Sequence, residues 1–147
     1  MYVGEWECRS ENSIALAVNE KLNKRATTDQ ADPSKHTLMI KENKDSDLIG
    51  RYGAQASQYD VSIESVGLGE SGCYQLDMAG PHGADTTIIK KNGVLNCSAY
   101  YSGKGIYHFS IDLGSGRYSR VNTDGFVRGN ESAFGSPSLE VGKCERK

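Results

Sequence analysis

The sequence predicts an all-β fold, with at most one short helix, arranged as an antiparallel small barrel or sandwich. Three observations lead there. From Gly105 to Thr123, Tyr107, Phe109, Ile111 and Leu113 alternate with His108, Ser110 and Asp112, the period-two pattern of a half-buried strand. Gly114-Ser115-Gly116 then lets the chain reverse, because glycine reaches positive φ without a Cβ penalty, so the stretch reads as a β-hairpin. Elsewhere, strand-like runs recur at short spacing while helical periodicity is scarce, the rhythm of sandwiches and barrels.

The remaining elements follow in chain order. Val3 to Ser10 places Gly4, Trp6 and Cys8 on one face of a first strand and Glu5, Glu7 and Arg9 on the other. Trp6, the only tryptophan, reads first as a core residue and second as a ligand-stacking one. Ser13 to Thr28 admits two readings. Ile14, Val18 and Leu22 sit near helical spacing, while Ile14 to Val18 and Lys24 to Thr28 also read as strands around a charged turn. The β surroundings favour the hairpin. His36 to Glu42 is a strand with either Leu38 and Ile40, or Thr37, Met39 and Lys41, facing inward, and the charges from Lys41 to Asp47 form a solvated cluster.

Tyr59 to Leu68 forms the next strand, with Tyr59, Val61 and Ile63 on one face. The glycines from Gly67 to Gly72 lack the Lys-Ser/Thr ending of a phosphate loop. Cys73 to Met78 reads as a short strand and Gly80 to Gly83 as a turn. Thr86 to Lys91 and Gly93 to Tyr101 then form a hairpin around Asn92-Gly93. A loop runs from Asn122 to Pro137, and Ser138 to Cys144 closes the chain as a strand with Leu139 and Val141 sharing a face. Laid beside the first strand, this last one would remove an exposed sheet edge.

At 147 residues the chain suits a single domain spanning 1–147 with one real core. A formal net charge of -2 gives no general attraction to phosphate backbones or anionic lipid, so neither nucleic acid nor membrane insertion is expected. Apolar runs are too short for a spanning helix.

The four cysteines, Cys8, Cys73, Cys97 and Cys144, lack the close pairs of a zinc site and read as two disulfides. Of the three pairings, Cys8 with Cys144 ties the chain ends and Cys73 with Cys97 closes a middle segment. Bridges imply a periplasmic or secreted mature chain; reduced thiols would instead imply the cytoplasm.

Several of these residues also form a pattern: VLNCS at Cys97, FSIDLGSGRY from Phe109 to Tyr118, Gly125-Phe126, and Pro137, Glu140, Gly142 and Cys144 in PSLEVGKC. They resemble an uncharacterised family of small proteins of proteobacteria and their phages that ends in a P-x-x-E-x-G-x-C strand. The likeness covers the last third of the chain, and the tryptophan that the family usually carries after its first turn is absent here. It implies a bacterial, exported protein and brings no activity, cofactor or catalytic residue. Strand count and paired termini are also analogous to calycin barrels such as lipocalins.

Chemistry finds little footing in the residue pattern. His36, His82 and His108 form no HExxH or His-x-His pair, so no metal site or cofactor is expected. Ser110, His108 and Asp112 share a strand face at a spacing too wide for a nucleophile–base bond, and Asp60, Glu64 and Glu140 are scattered. No catalytic residue is assigned, and a hydrolase ranks last among the functions considered.

The favoured expectation is a non-enzymatic binding domain acting on a protein partner, as a secreted inhibitor or accessory factor. It would use the loop after Asn122 together with Tyr100, Tyr101, Tyr107, Tyr118, Arg120, Phe126 and Arg128, since aromatics and arginines anchor interfaces. The alternative is a carrier holding a small apolar ligand inside a barrel, with Trp6 near its mouth or floor. A connected interior cavity would favour the carrier. A filled core with an exposed apolar patch would favour the partner.

Overall fold

A computed structural model describes residues 2–18, 24–28, 34–42, 58–74, 87–88, 92–122 and 137–147. Among the described residues ten strands form: β1 (Gly4–Val18), β2 (Lys24–Thr28), β3 (Lys35–Glu42), β4 (Gln58–Ser65), β5 (Gly69–Tyr74), β6 (Thr87–Ile88), β7 (Val94–Tyr101), β8 (Gly105–Asp112), β9 (Arg117–Asn122) and β10 (Ser138–Arg146). Eight of them run in the order β10-β9-β8-β7-β5-β4-β3-β1, and β1 pairs back onto β10. That ring is a closed antiparallel barrel, of the small lipocalin-like kind, with β2 attached to β1 and β6 to β4.

Closure depends on β1, whose 15 residues serve two edges. One edge pairs with β10 from Trp6 to Ala15; the other pairs first with β3 and then, beyond Arg9, with β2. A bulge between Ser10 and Asn12 separates the two halves. The hairpin reading of 13–28 therefore holds, but its first strand continues the opening strand without a break. Two other boundaries move: β5 starts at Gly69 rather than Cys73, and β4 ends at Ser65 rather than Leu68; of the expected strand at 86–91 only Thr87 and Ile88 are described, and they pair with β4. The Lys41–Asp47 charge cluster beyond Glu42 and the Gly80–Gly83 turn lie outside the described residues.

Alternation fixes what faces inward. Trp6, Cys8, Leu38, Ile40, Val61, Ile63, Leu95, Phe109 and Ile111 are all buried, which settles β3 with Leu38 and Ile40 inside. Trp6 is 7% exposed and its indole N–H donates to the Tyr2 carbonyl at 3.0 Å, so its polar atom is satisfied while its rings fill the core. The last strand departs from the apolar-inside pattern. Leu139 and Val141 face outward at 43% and 40% exposure, while Glu140, Gly142 and Cys144 face the interior. Cys144 sets this phase, because its sulfur must meet Cys8 inside the ring.

Both cysteine pairs stand within bonding distance, Cys8 with Cys144 (Cα–Cα 3.9 Å) and Cys73 with Cys97 (5.2 Å). Each pins a seam. The first joins directly opposed residues of β1 and β10. The second spans β5 and β7, which among the described residues pair only at Cys73↔Ala99 and Tyr74↔Ser98. Past that point the Tyr100 N–H turns to the Ser71 hydroxyl at 3.1 Å instead of a β5 carbonyl.

Two glycines permit the closure. Gly116, at φ +75°, brings the β8–β9 turn against β10, where the Cys144 N–H donates to its carbonyl at 2.6 Å. Gly142 leaves the β1 bulge and the Tyr118 ring room to approach; a Cβ there would run into the Arg9 carbonyl oxygen and that ring.

In the chain-entropy account a cross-link stabilises more as its loop lengthens. With separations of 136 and 24 residues, replacing Cys8 and Cys144 by alanine is expected to cost about 5 kcal/mol and replacing Cys73 and Cys97 about 3 kcal/mol. Urea titrations of the two double variants measure the order, and a larger loss from the inner pair would contradict it.

Candidate functional site

Six strands deliver polar side chains to one end of the barrel interior. His36 opens β3, Ser65 closes β4, Tyr101 closes β7, Tyr107 lies near the start of β8, Tyr118 and Arg120 stand on β9, and Glu140 lies near the start of β10. In an antiparallel ring these strand ends come together, so residues 104 apart in sequence meet. Glu140, 1% exposed, is the centre.

Its Oε1 accepts from His36 Nε2 at 2.7 Å and from the Tyr118 hydroxyl at 2.6 Å. Its Oε2 lies 2.8 Å from Arg120 Nη2, an ion contact whose angle falls short of a hydrogen bond. On the far side of the imidazole, His36 Nδ1 and Ser65 Oγ are 2.7 Å apart, and Ser65 Oγ and the Tyr101 hydroxyl 2.8 Å. The Arg120 guanidinium lies 4.9 Å from the Tyr107 ring centroid, in cation–π range. His36 also meets Phe109 and Tyr118 edge-on.

This environment sorts the ionisable groups. Burial alone would raise the Glu140 carboxyl, but the His36 hydrogen bond, the Arg120 charge and the Tyr118 hydroxyl together outweigh it and bring it from 4.5 down to about 2. Burial raises Tyr118, reinforced by its bond to the Glu140 carboxylate, and burial likewise raises Tyr101 and Tyr107. Glu140 is thus held as an anion, and the Tyr118 hydroxyl that donates to it keeps its proton.

Ser65, His36 and Glu140 reproduce the connectivity of a nucleophile, base and acid. Ser65 is 2% exposed and bonded to Tyr101, and the neighbouring Val66 N–H is donated to the Lys35 carbonyl at 3.1 Å. What the arrangement does chemically is fasten six strands around a desolvated charge.

The residues assigned to binding separate on inspection. Tyr101, Tyr107 and Tyr118, expected at an exposed surface, are buried, and Arg120 is mostly so because it serves Glu140. Trp6 is in the core. Tyr100 is outside at 55% exposure, while Phe126 and Arg128 lie outside the described residues. His36, Ser65 and Glu140 went unassigned in the sequence reading. Counting back in twos from Cys144 would have placed Glu140 inside, a charge that then requires partners.

The outer wall holds a second candidate. Cross-strand register defines one row, Ser98–His108–Val121–Leu139–Ile14, and beside it another, Asn96–Ser110–Ser119–Val141–Asn12. Across β7, β8, β9, β10 and β1, neither row carries a carboxylate, ammonium or guanidinium. Ile14, Leu139 and Val141 are the exposed aliphatic members. Within the band His108 Nδ1 bonds to Ser98 Oγ at 2.6 Å and Ser110 to Asn96, while Asp112 caps its own turn through the Gly114 N–H and Ser115. A groove of about 540 Å³ opens at the band's edge, bordered by Ser110, Ser119, Val141 and Lys143.

No group of three or more His, Cys, Asp or Glu side chains among the described residues is placed to hold a metal ion. Comparison with protein-family models, curated proteins and solved structures returned no match for this chain.

The ionised Glu140 has a definite pH signature. Its folded value of about 2 lies below the ordinary 4.5, so its stabilisation, on the order of 3 kcal/mol, is complete above pH 4.5 and is lost as pH falls through about 2. Glu140→Gln, which leaves Arg120 without its counter-charge, is expected to cost about 3 kcal/mol at pH 7 and to flatten that acid limb. Chemical denaturation between pH 2 and 7 tests both, and an unchanged slope would remove Glu140 from the account.

Proposed function

We propose that this protein is a non-enzymatic, exported binding module that engages a protein partner through the uncharged outer band of β7–β8–β9–β10–β1. The observation carrying this reading is the outward placement of Leu139, Val141 and Ile14 on adjoining strands. Exposed aliphatic side chains grouped in this way, on a chain with 24% charged residues, are the kind of surface that partners cover.

Two further points support it. Large side chains occupy the described interior, with Trp6, Tyr101, Tyr107, Phe109 and Tyr118 directed inward, which favours a partner over an apolar cargo. Charged residues stand beside the band on the outer wall, Arg117, Lys143 and Arg9 among them, which opposes burial of that wall in lipid. The two cysteine pairs are compatible with an oxidising compartment, and the resemblance of the closing P-x-x-E-x-G-x-C strand to exported proteobacterial proteins adds the periplasm as its location.

A photo-crosslinking residue placed at Val141, Leu139 or Ile14, in the cells that make the protein, is expected to yield a discrete protein adduct. The same residue at Glu64, on a different part of the wall, is expected to yield none. Adducts of equal yield at all four sites, or at none, would reject the reading.

A further inference from the structure

His108 stands in the middle of the outer band. Register sets it opposite Ser98 on β7 and Val121 on β9, in one row with Leu139 on β10 and Ile14 on β1. At the spacing of paired strands it lies about 5 Å from Val121 and about 10 Å from Leu139. Its ring is exposed, whereas His36 is buried and His82 lies outside the described residues. A kind of side chain that gains charge between about pH 5 and 8 thus sits among the aliphatic groups that carry the binding reading.

Among the described residues no formal charge faces it. Asn96, Ser98 and Tyr100 stand around it on β7, Ser119 and Val121 on β9, and Ile106 and Ser110 on β8 itself. Tyr100 brings the only other titratable group of that set, a phenol uncharged while it keeps its proton. Arg120 and Glu140 belong to the interior, on the other side of the wall. Along β8 the flanking charges are Lys104 and Asp112. The Lys104 ammonium donates to the Gly67 carbonyl, and Asp112, about 13 Å off by strand rise, is turned to its own Gly114 and Ser115 with Arg117 opposite it. His108 Nδ1 is 2.6 Å from Ser98 Oγ, and Nε2 meets no partner among the described residues. A protonated ring donates from both nitrogens, so Ser98 can accept one N–H and water must accept the other. A protein laid over this row removes that water, and none of the side chains around it is a carboxylate to take its place.

We infer that His108 makes the attachment proton-linked: the band holds its partner while the ring is neutral and releases it when the ring is charged. This deepens the reading under Proposed function, by naming how that site is regulated, and rests on it. Removing an imidazolium from water costs far more than removing a neutral imidazole, so a covering partner opposes protonation. The complex then binds fewer protons than the free chain. Affinity therefore falls as pH falls, by no more than about tenfold per pH unit for a single group. The acid loss at Glu140 lies outside this window, because its carboxyl is held at about 2.

The test reads photo-crosslinked adduct against pH in permeabilised cells that make the protein, with the crosslinking residue at Leu139. With His108 intact, adduct is expected to fall at least ~fivefold between about pH 7.5 and about pH 5.5. His108→Gln, which takes up no proton, should give high yield at both values, and His108→Lys, a fixed cation, low yield at both. Thermal melts at each pH confirm that all three chains fold. Adduct that is unchanged or larger at the lower pH overturns this inference and leaves the partner-binding reading in place. So does a pH dependence that persists in His108→Gln, a low yield from that variant at the higher pH, or full yield from His108→Lys there. Absence of adduct at both pH values with His108 intact overturns both.

Discussion

The meeting of β1 with β10 is the constraint from which the rest of this structure follows. A sheet leaves two open edges unless its first and last strands find each other, and here they do so over most of the length of β1. Every residue on the closing strand inherits its direction from that pairing. Cys144 must point inward to reach Cys8, and the pleat then obliges Gly142 and Glu140 to point inward and Val141 and Leu139 outward. The buried carboxylate and the exposed aliphatics are two results of one register.

A charge inside a barrel is a specificity device as much as a stabilising one. An ion pair of this type gains little over a well-packed apolar alternative, yet leaving Glu140 without His36, Tyr118 or Arg120 is severely unfavourable. A slip of one residue along β10 would turn Glu140 to solvent and bring Leu139 or Val141 in against Arg120. The network therefore penalises the wrong closure more than it rewards the right one.

Much of this fold was legible in residue order because its elements alternate cleanly. Tyr107, Phe109, Ile111 and the turn at Gly116 announced β8 and β9, the run from Gly93 to Tyr101 announced β7, although Thr87 and Ile88 of its expected hairpin partner pair with β4, and the cysteines announced which strands are neighbours. The candidate sites were less legible, for a physical reason. Tyrosine and arginine are equally at home in an interface or in a buried polar network, and only the phase of each strand decides which. Tyr100 and Tyr101, adjacent in sequence, end on opposite sides of the wall. Alternation showed that Leu139 and Val141 share a face but not which way it points, and the inward sulfur of Cys144 turns that face outward.

The seam between β5 and β7 has a consequence for how the molecule comes to be. Cys73 and Cys97 are separated by 24 residues and β7, β8 and β9 are joined by tight turns, so this half of the wall is assembled from near neighbours. Closure, by contrast, has to bring together segments 136 residues apart, an entropically late event. A ribosome or translocon delivering the chain from its amino end would hold β1 with one edge bare until β10 emerged. The barrel consequently cannot close before β10 has been made, and the wait falls on the strand that carries Trp6.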